Sequence, residues 1–270
     1  MSRAALQVLP SASLLAGCTS IYVDIGLNVG EMLRVLYEPT EAQAAKGQGR
    51  QFEGFFGPNR SSVCSIGLEP NPLHGRPLAR LAKRLRTDGR RVHIFSLGVS
   101  NVSGSAPFWT DMAPHNVQNH GWGNSLLRWA SGMDGGHADT VRTVELGELV
   151  RLILPPPLAR SLRVAVKMDC EGCEYDAFPP ALNALCAAVD LVWLERHDRF
   201  FSHRWRGHKA GFESEGRVER LEASLKTAVR RRAEGSCRTS VRTLSTIESR
   251  SHDKPGGGQR GGQGKGKGKP

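Results

Sequence analysis

Two rhythms of apolar residues alternate along the chain. Ile21–Ile25, Val63–Leu68, Val164–Met168 and Leu191–Leu194 are short, nearly continuous apolar runs, the pattern of strands buried on both faces. Arg91–Leu97 and Val141–Val144 predict two further strands, and Ser236–Thr246 a terminal one. Between them the period lengthens. Helices are predicted at Glu31–Tyr37, where Glu38-Pro39 stops the run, and at Pro72–Arg86, with Leu78, Leu81 and Leu85 on one face. Others are predicted at Leu146–Leu154, ended by Pro155-Pro156-Pro157, and at Pro179–Val189, with proline at its first positions. A last helix is expected at Val218–Arg231, with Leu221, Leu225 and Val229 aligned. Residues 40–62 and 101–140 carry neither rhythm and read as an inserted loop and an irregular region.

Strands alternating with helices predict an α/β fold. The expected form is Rossmann-like: a mostly parallel six- or seven-stranded sheet with helices on both faces. It would span residues 21–250, after a lead-in of residues 1–20 and before a Gly/Lys-rich basic tail at 251–270. That tail has nothing apolar to bury and is expected to be disordered.

Composition narrows this picture little. The hydrophobic fraction of 39% fits a globular chain. No apolar run reaches the roughly 18 residues of a membrane span. The net charge of +11 sits mostly at the end, where residues 215–270 hold 14 Lys/Arg against 6 Asp/Glu. The basic average therefore says little about what the folded part binds. The tail could contact RNA or another anionic surface weakly and without specificity; a merely solvated tail is the simpler expectation. Six scattered cysteines look too few for a disulfide scaffold and point to a reducing compartment. Leu15-Ala16-Gly17-Cys18 has the look of a lipoprotein cleavage box. A lone Arg3, the interrupting Pro10 and a strand starting at Ile21 oppose a secretory leader, so a cytoplasmic chain is expected.

The chemistry concentrates at strand ends. Asp24-Ile-Gly26-Leu-Asn28-Val-Gly30 follows the first strand. Its glycines let the backbone turn into a helix and approach a ligand, and ligands of such sheets sit at the carboxyl ends of the strands. Asp24 disfavours a pyrophosphate there, and the G-x-G-x-x-G of dinucleotide readers is absent. A ligand carrying positive charge suits it better, and S-adenosylmethionine has both a sulfonium and an ammonium. Glu69, in Leu68-Glu69-Pro70-Asn71-Pro72, closes the second strand, where a carboxylate can accept both ribose hydroxyls.

These residues, with three further blocks in order, resemble the FkbM-type S-adenosylmethionine-dependent methyltransferases. The blocks are Tyr22–Glu31, Gly67–Pro72, Leu97-Gly98-Val99-Ser100-Asn101, Val166-Lys167-Met-Asp169-Cys-Glu171-Gly172-Cys-Glu174, and Leu194-Glu195-Arg-His197. The last two are similar to the family's Lys-x-Asp-x-Glu-Gly-x-Glu and Glu-x-His segments. The resemblance implies a class I methyltransferase fold that O-methylates a hydroxyl of a sugar or natural product. It implies that Asp24, Gly26, Asn28 and Gly30 hold the methionine end of the cofactor and that Glu69 and Asn71 hold the ribose. Gly98 and Ser100 would lie near adenine. Asp169, Glu171, Glu195 and His197 are the candidates for orienting or deprotonating the acceptor, with a structural hydrogen bond an equal alternative for His197. The chain departs from the family in the long 40–62 insertion, the short lead-in and the region after 197.

Other readings stay open. The acid and histidine cluster has donor types for a divalent metal, but hydrogen bonding accounts for it equally and no metal is assigned. Cys170-x-x-Cys173, Cys186 and His197 lack the second tight pair of a zinc site; Cys186 reads as core, and no redox role is assigned to Cys170 and Cys173. Lys167 is expected to pair with an acid, and Glu174 to stabilise a helix N-terminus. Trp109, Trp122, Trp129 and His120, with Asn124 and Ser125, read as an aromatic cluster under a long loop or as a carbohydrate wall. An RNA-directed methyltransferase and a cofactor-binding module without catalysis are the competing functions.

Overall fold

In a computed structural model the described residues are 15–41, 43, 49–110, 124–127, 137–198 and 216–244. Six strands form one wholly parallel sheet: β1 (Ser20–Ile25), β2 (Val63–Leu68), β3 (Arg91–Phe95), β7 (Arg163–Met168), β8 (Leu191–Leu194) and β9 (Ser240–Thr243). Their order is β3-β2-β1-β7-β8-β9. The chain winds outward from β1 to one edge, then returns to β7 and winds to the other. The order thus reverses between β1 and β7, the point where open α/β sheets place their ligands. The expected Rossmann-like class holds. The antiparallel pairing belongs to a separate three-stranded sheet, β4 (Gly98–Ser100), β6 (His137–Glu145) and β5 (Gly104–Thr110). That small sheet replaces part of the region read as irregular. Trp122, Trp129, His120 and the basic tail lie outside the described residues.

Side-chain alternation along the central strands builds two cores. Ile21, Val23 and Ile25 of β1 point to one face with Val164, Val166, Met168, Val192 and Leu194. Helices α4 (Leu146–Ile153), α5 (Pro156–Ser161), α6 (Cys173–Ala188) and α7 (Arg217–Ala233) cover that face. Tyr22, Ala165, Leu191 and Trp193 point to the other, under α1 (Glu31–Tyr37), α2 (Arg50–Phe56) and α3 (Gly75–Thr87). A short 3-10 turn, Pro72–His74, leads into α3.

Helix α2 corrects the reading of residues 40–62 as a loop. Phe52 is fully buried and stands edge-on to Tyr22 at 5.1 Å and to Trp193 at 5.5 Å. Phe55 and Phe56 complete the group around Trp193. The spacing Phe52, Phe55, Phe56 is one apolar helix face, obscured in the sequence by the polar residues around it. Helix α6 begins at Cys173, earlier than the predicted Pro179, which lies inside it with Pro180. Proline there removes a helical hydrogen bond, but burial of Tyr175, Ala177 and Phe178 outweighs that loss.

All six cysteines are paired, which overturns the expectation of free thiols: Cys18–Cys64, Cys170–Cys173 and Cys186–Cys237. Cys186 is buried as expected, but as half of a disulfide rather than as a free core residue. Such bonds persist in oxidising environments, so the cysteines no longer argue for a reducing compartment. No helix of the described residues is long and apolar enough to cross a membrane.

Candidate functional site

Two turns meet at the switch point. The first leaves β1 through Gly26, Asn28 and Gly30, all with positive φ (+81°, +50° and +82°). A Cβ on Gly26 would collide with the carbonyl oxygen of Asp169, and one on Gly30 with Leu81 of α3. Glycine is therefore required here by internal packing and backbone conformation as well as by any ligand. Glu69 locks this turn to the second strand. One carboxylate oxygen accepts the Asn28 N–H at 2.7 Å, the other the Asn71 N–H at 2.8 Å. His74 Nδ1 lies 3.7 Å from it. A carboxylate has about four lone-pair positions, so Glu69 keeps acceptor capacity while its plane is fixed. Asn71 is buried and its side chain caps the turn through the Leu73 N–H. Gly98 opens β4 beside Pro70, and Ser100 closes the same short strand of the small sheet.

Asp24 is buried, and its register partner on β7 is Lys167, whose ammonium lies 3.8 Å away. Its charge is met inside the protein. Lys167 also donates to Asp169 at 2.7 Å, which bears out its expected pairing with acids.

The second turn runs from β7 into α6. The Asp169 N–H donates to the Ile25 carbonyl, so this turn rides directly on the first. Glu171 holds a left-handed φ of +53° and Gly172 one of +112°; glycine adopts this freely, whereas for Glu171 it costs free energy that the surroundings must offset. Here the Cys170–Cys173 disulfide closes the turn, and Ser125 Oγ donates to the Glu171 carbonyl at 2.6 Å. Ser125 thus ties the small sheet to the site. Neither reading of this stretch, aromatic cluster or carbohydrate wall, included that role for Ser125.

Four carboxylates surround one imidazole. His197, 1% exposed, has Nδ1 at 2.7 Å from Glu174; its Nε2 lies 3.3 Å from Glu171, 3.6 Å from Asp169 and 3.7 Å from Glu195. Burial alone would lower the His197 pKa, but the Glu174 carboxylate, then Glu171 and Asp169, override it and raise it to about 10. The ring is an imidazolium at neutral pH, so it is not poised as a base. Burial pushes the Asp169 carboxyl up, but the Lys167 ammonium and then His197 hold it below the ordinary range. Asp169 is therefore a firmly ionised acceptor of hydrogen bonds. The expected four, Asp169, Glu171, Glu195 and His197, do come together. Glu174 joins them, fully buried and in contact with the ring.

Among the described residues, two groups have metal-binding donor types. The Cys170, Cys173 and Glu174 group has its sulfurs bonded to each other. The other is Asp169, Glu195 and His197, whose donor atoms lie within 4.8 Å of one another.

No family model and no curated protein matches the chain. Among solved structures it is similar to a methyltransferase FkbM from Methylobacillus flagellatus, with 16% identity and a TM-score of 0.33. The match covers 62% of this chain and 30% of that one. An overlap of this size carries no argument about activity.

Proposed function

We propose that the protein is an S-adenosylmethionine-dependent methyltransferase acting on a hydroxyl acceptor of the sugar or natural-product class. One observation carries this reading: a glycine turn braced by a ribose-type glutamate adjoins a carboxylate-rich turn at the sheet's switch point. Among the described residues, the acids Asp24, Asp169, Glu171, Glu174 and Glu195 outnumber the cations Lys167 and His197. That surplus suits a cationic ligand and disfavours a pyrophosphate. S-adenosylmethionine, when bound, supplies an electrophilic methyl group on a sulfonium.

The chain's own part is placement. Glu69 offers its remaining lone pairs to paired hydroxyls, with Asn71 fixing the turn beneath. Gly26, Asn28 and Gly30 shape the cradle for the methionine end. Gly98 and Ser100 border the adenine side. Asp169, Glu171 and Glu195 would orient an acceptor hydroxyl, and one of these carboxylates would take its proton as the methyl group leaves the sulfonium sulfur, released as a thioether, for the acceptor oxygen.

Calorimetric titration of S-adenosylmethionine into the intact chain tests this. Binding in the micromolar range is expected, weakened about tenfold or more in Glu69→Ala, the loss of one to two charge-assisted hydrogen bonds. Absence of binding by a folded intact chain overturns the reading.

A further inference from the structure

The acid cluster contains a residue whose place is not explained by contact with either cofactor or acceptor. Glu174 sits in the first turn of α6 and is completely buried. One of its oxygens accepts the Gly172 N–H at 3.0 Å and the other meets His197 Nδ1 at 2.7 Å. The helix-terminus role expected from the sequence holds, since Glu174 stands in the first turn and accepts the N-cap Gly172 N–H. Its second oxygen does something more, meeting a ring held at the end of a neighbouring strand.

We propose that Glu174 and His197 form a positioning pair: Glu174 fixes the imidazole through Nδ1, so that Nε2–H faces Asp169, Glu171 and Glu195 and gathers those carboxylates at the acceptor end. This deepens the methyltransferase reading and rests on it for the word acceptor only. The geometry supports it from every side. Helix α6 supplies Glu174, the β7–α6 turn supplies Asp169 and Glu171, and the end of β8 supplies Glu195. Four carboxylates around one point repel one another unless a cation stands between them. Lys167 cannot fill that role alone, because it is shared between Asp24 and Asp169. Arg196 turns away to Asp198 and to Glu222 of α7, and Tyr175 also donates to Asp198. Among the described residues, His197 is the cation that stands within 4 Å of all four carboxylates.

A consequence for chemistry follows. An imidazole protonated on both nitrogens has no lone pair for the acceptor's proton. The proton therefore goes to a carboxylate of the cluster, and the histidine acts by placement. The pair is the structural analogue of the buried carboxylate that orients a histidine in other enzymes, with the difference that the ring here stays charged at rest.

The decisive measurement is the titration of His197 in the intact chain, read from the nitrogen shifts of its imidazole after sequential resonance assignment. The ring is expected to keep both protons to at least pH 9. In Glu174→Gln the midpoint should fall by about two pH units or more, while a control elsewhere on α6, Glu174 left in place, leaves it unchanged. A His197 that titrates near its ordinary value in the intact chain overturns the pair, and this needs no variant to fold. A midpoint unmoved in a folded Glu174→Gln does so too. Failure to bind S-adenosylmethionine with the titration as expected overturns the methyltransferase reading and leaves the pair standing.

Discussion

The two turns at the switch point do neighbouring jobs by different physics. The turn after β1 is held by backbone amides on Glu69 and by glycines packed against Asp169 and Leu81. Its shape depends on sterics and on hydrogen bonds to a carboxylate. The turn after β7 is held by charge: an imidazolium among four carboxylates, a lysine shared by two acids, and a disulfide across the left-handed residues. The first turn is built to keep one shape under all ordinary conditions. The second is tied to the protonation of a single ring.

The sharpest way to break the comparison is at the point where the turns touch. Gly26→Ala would drive a methyl group into the Asp169 carbonyl and strain a positive φ. A loss of about 3 kcal/mol or more is expected, read as a lowered denaturant midpoint together with loss of cofactor binding. An alanine variant as stable as the parent would show that the turns can part without cost.

Next in size is pH. His197 has its pKa raised to about 10, whereas the unfolded chain loses that proton near its ordinary value of about 6.5. The contribution is complete below about 6.5, declines as pH rises, and is gone above about 10. Thermal melts should therefore show falling stability across that window. Above it Tyr37, pushed up to about 12 by burial, continues the fall, since the unfolded chain ionises first. The Glu174→Gln chain should show a flatter slope between pH 6.5 and 10. Equal slopes in the two proteins would count against a charge-held second turn.

The smallest effect probes the tie to the small sheet. Ser125→Ala removes a hydrogen bond to the Glu171 carbonyl and one from the Leu127 N–H. About 1 kcal/mol of stability should be lost, with more of the change in hydrogen exchange at the Glu171–Gly172 turn than at Gly26–Gly30. Equal changes at both turns would mean that they form one unit.

Much of the frame was legible in the residues. The central strands carry continuous apolar runs because both their faces are covered, and the helices carry the longer period, so the α/β class and the strand ends could be read. The candidate acids stand at those ends, and the described structure brings Asp169, Glu171, Glu195 and His197 together. Other features lacked a local signal. Helix α2 hides its aromatic face among polar and glycine residues. Strand β4 has three residues, and β5 has mixed burial. The prolines of α6 disguise its true start, and the cysteines give no pairing without their distances.

What the sequence by itself determined is local. Periodicity set the elements, and residue type set which turns could form and where carboxylates would collect. The tertiary structure alone decided the partners. It gave Asp24 to Lys167, turned Glu174 inward to His197, set Gly26 against the Asp169 carbonyl and joined Cys186 to Cys237. Those outcomes depend on distances between elements far apart in the chain. Whether a histidine serves as a base or as a fixed cation depends on burial and neighbouring charge, which only the folded arrangement supplies.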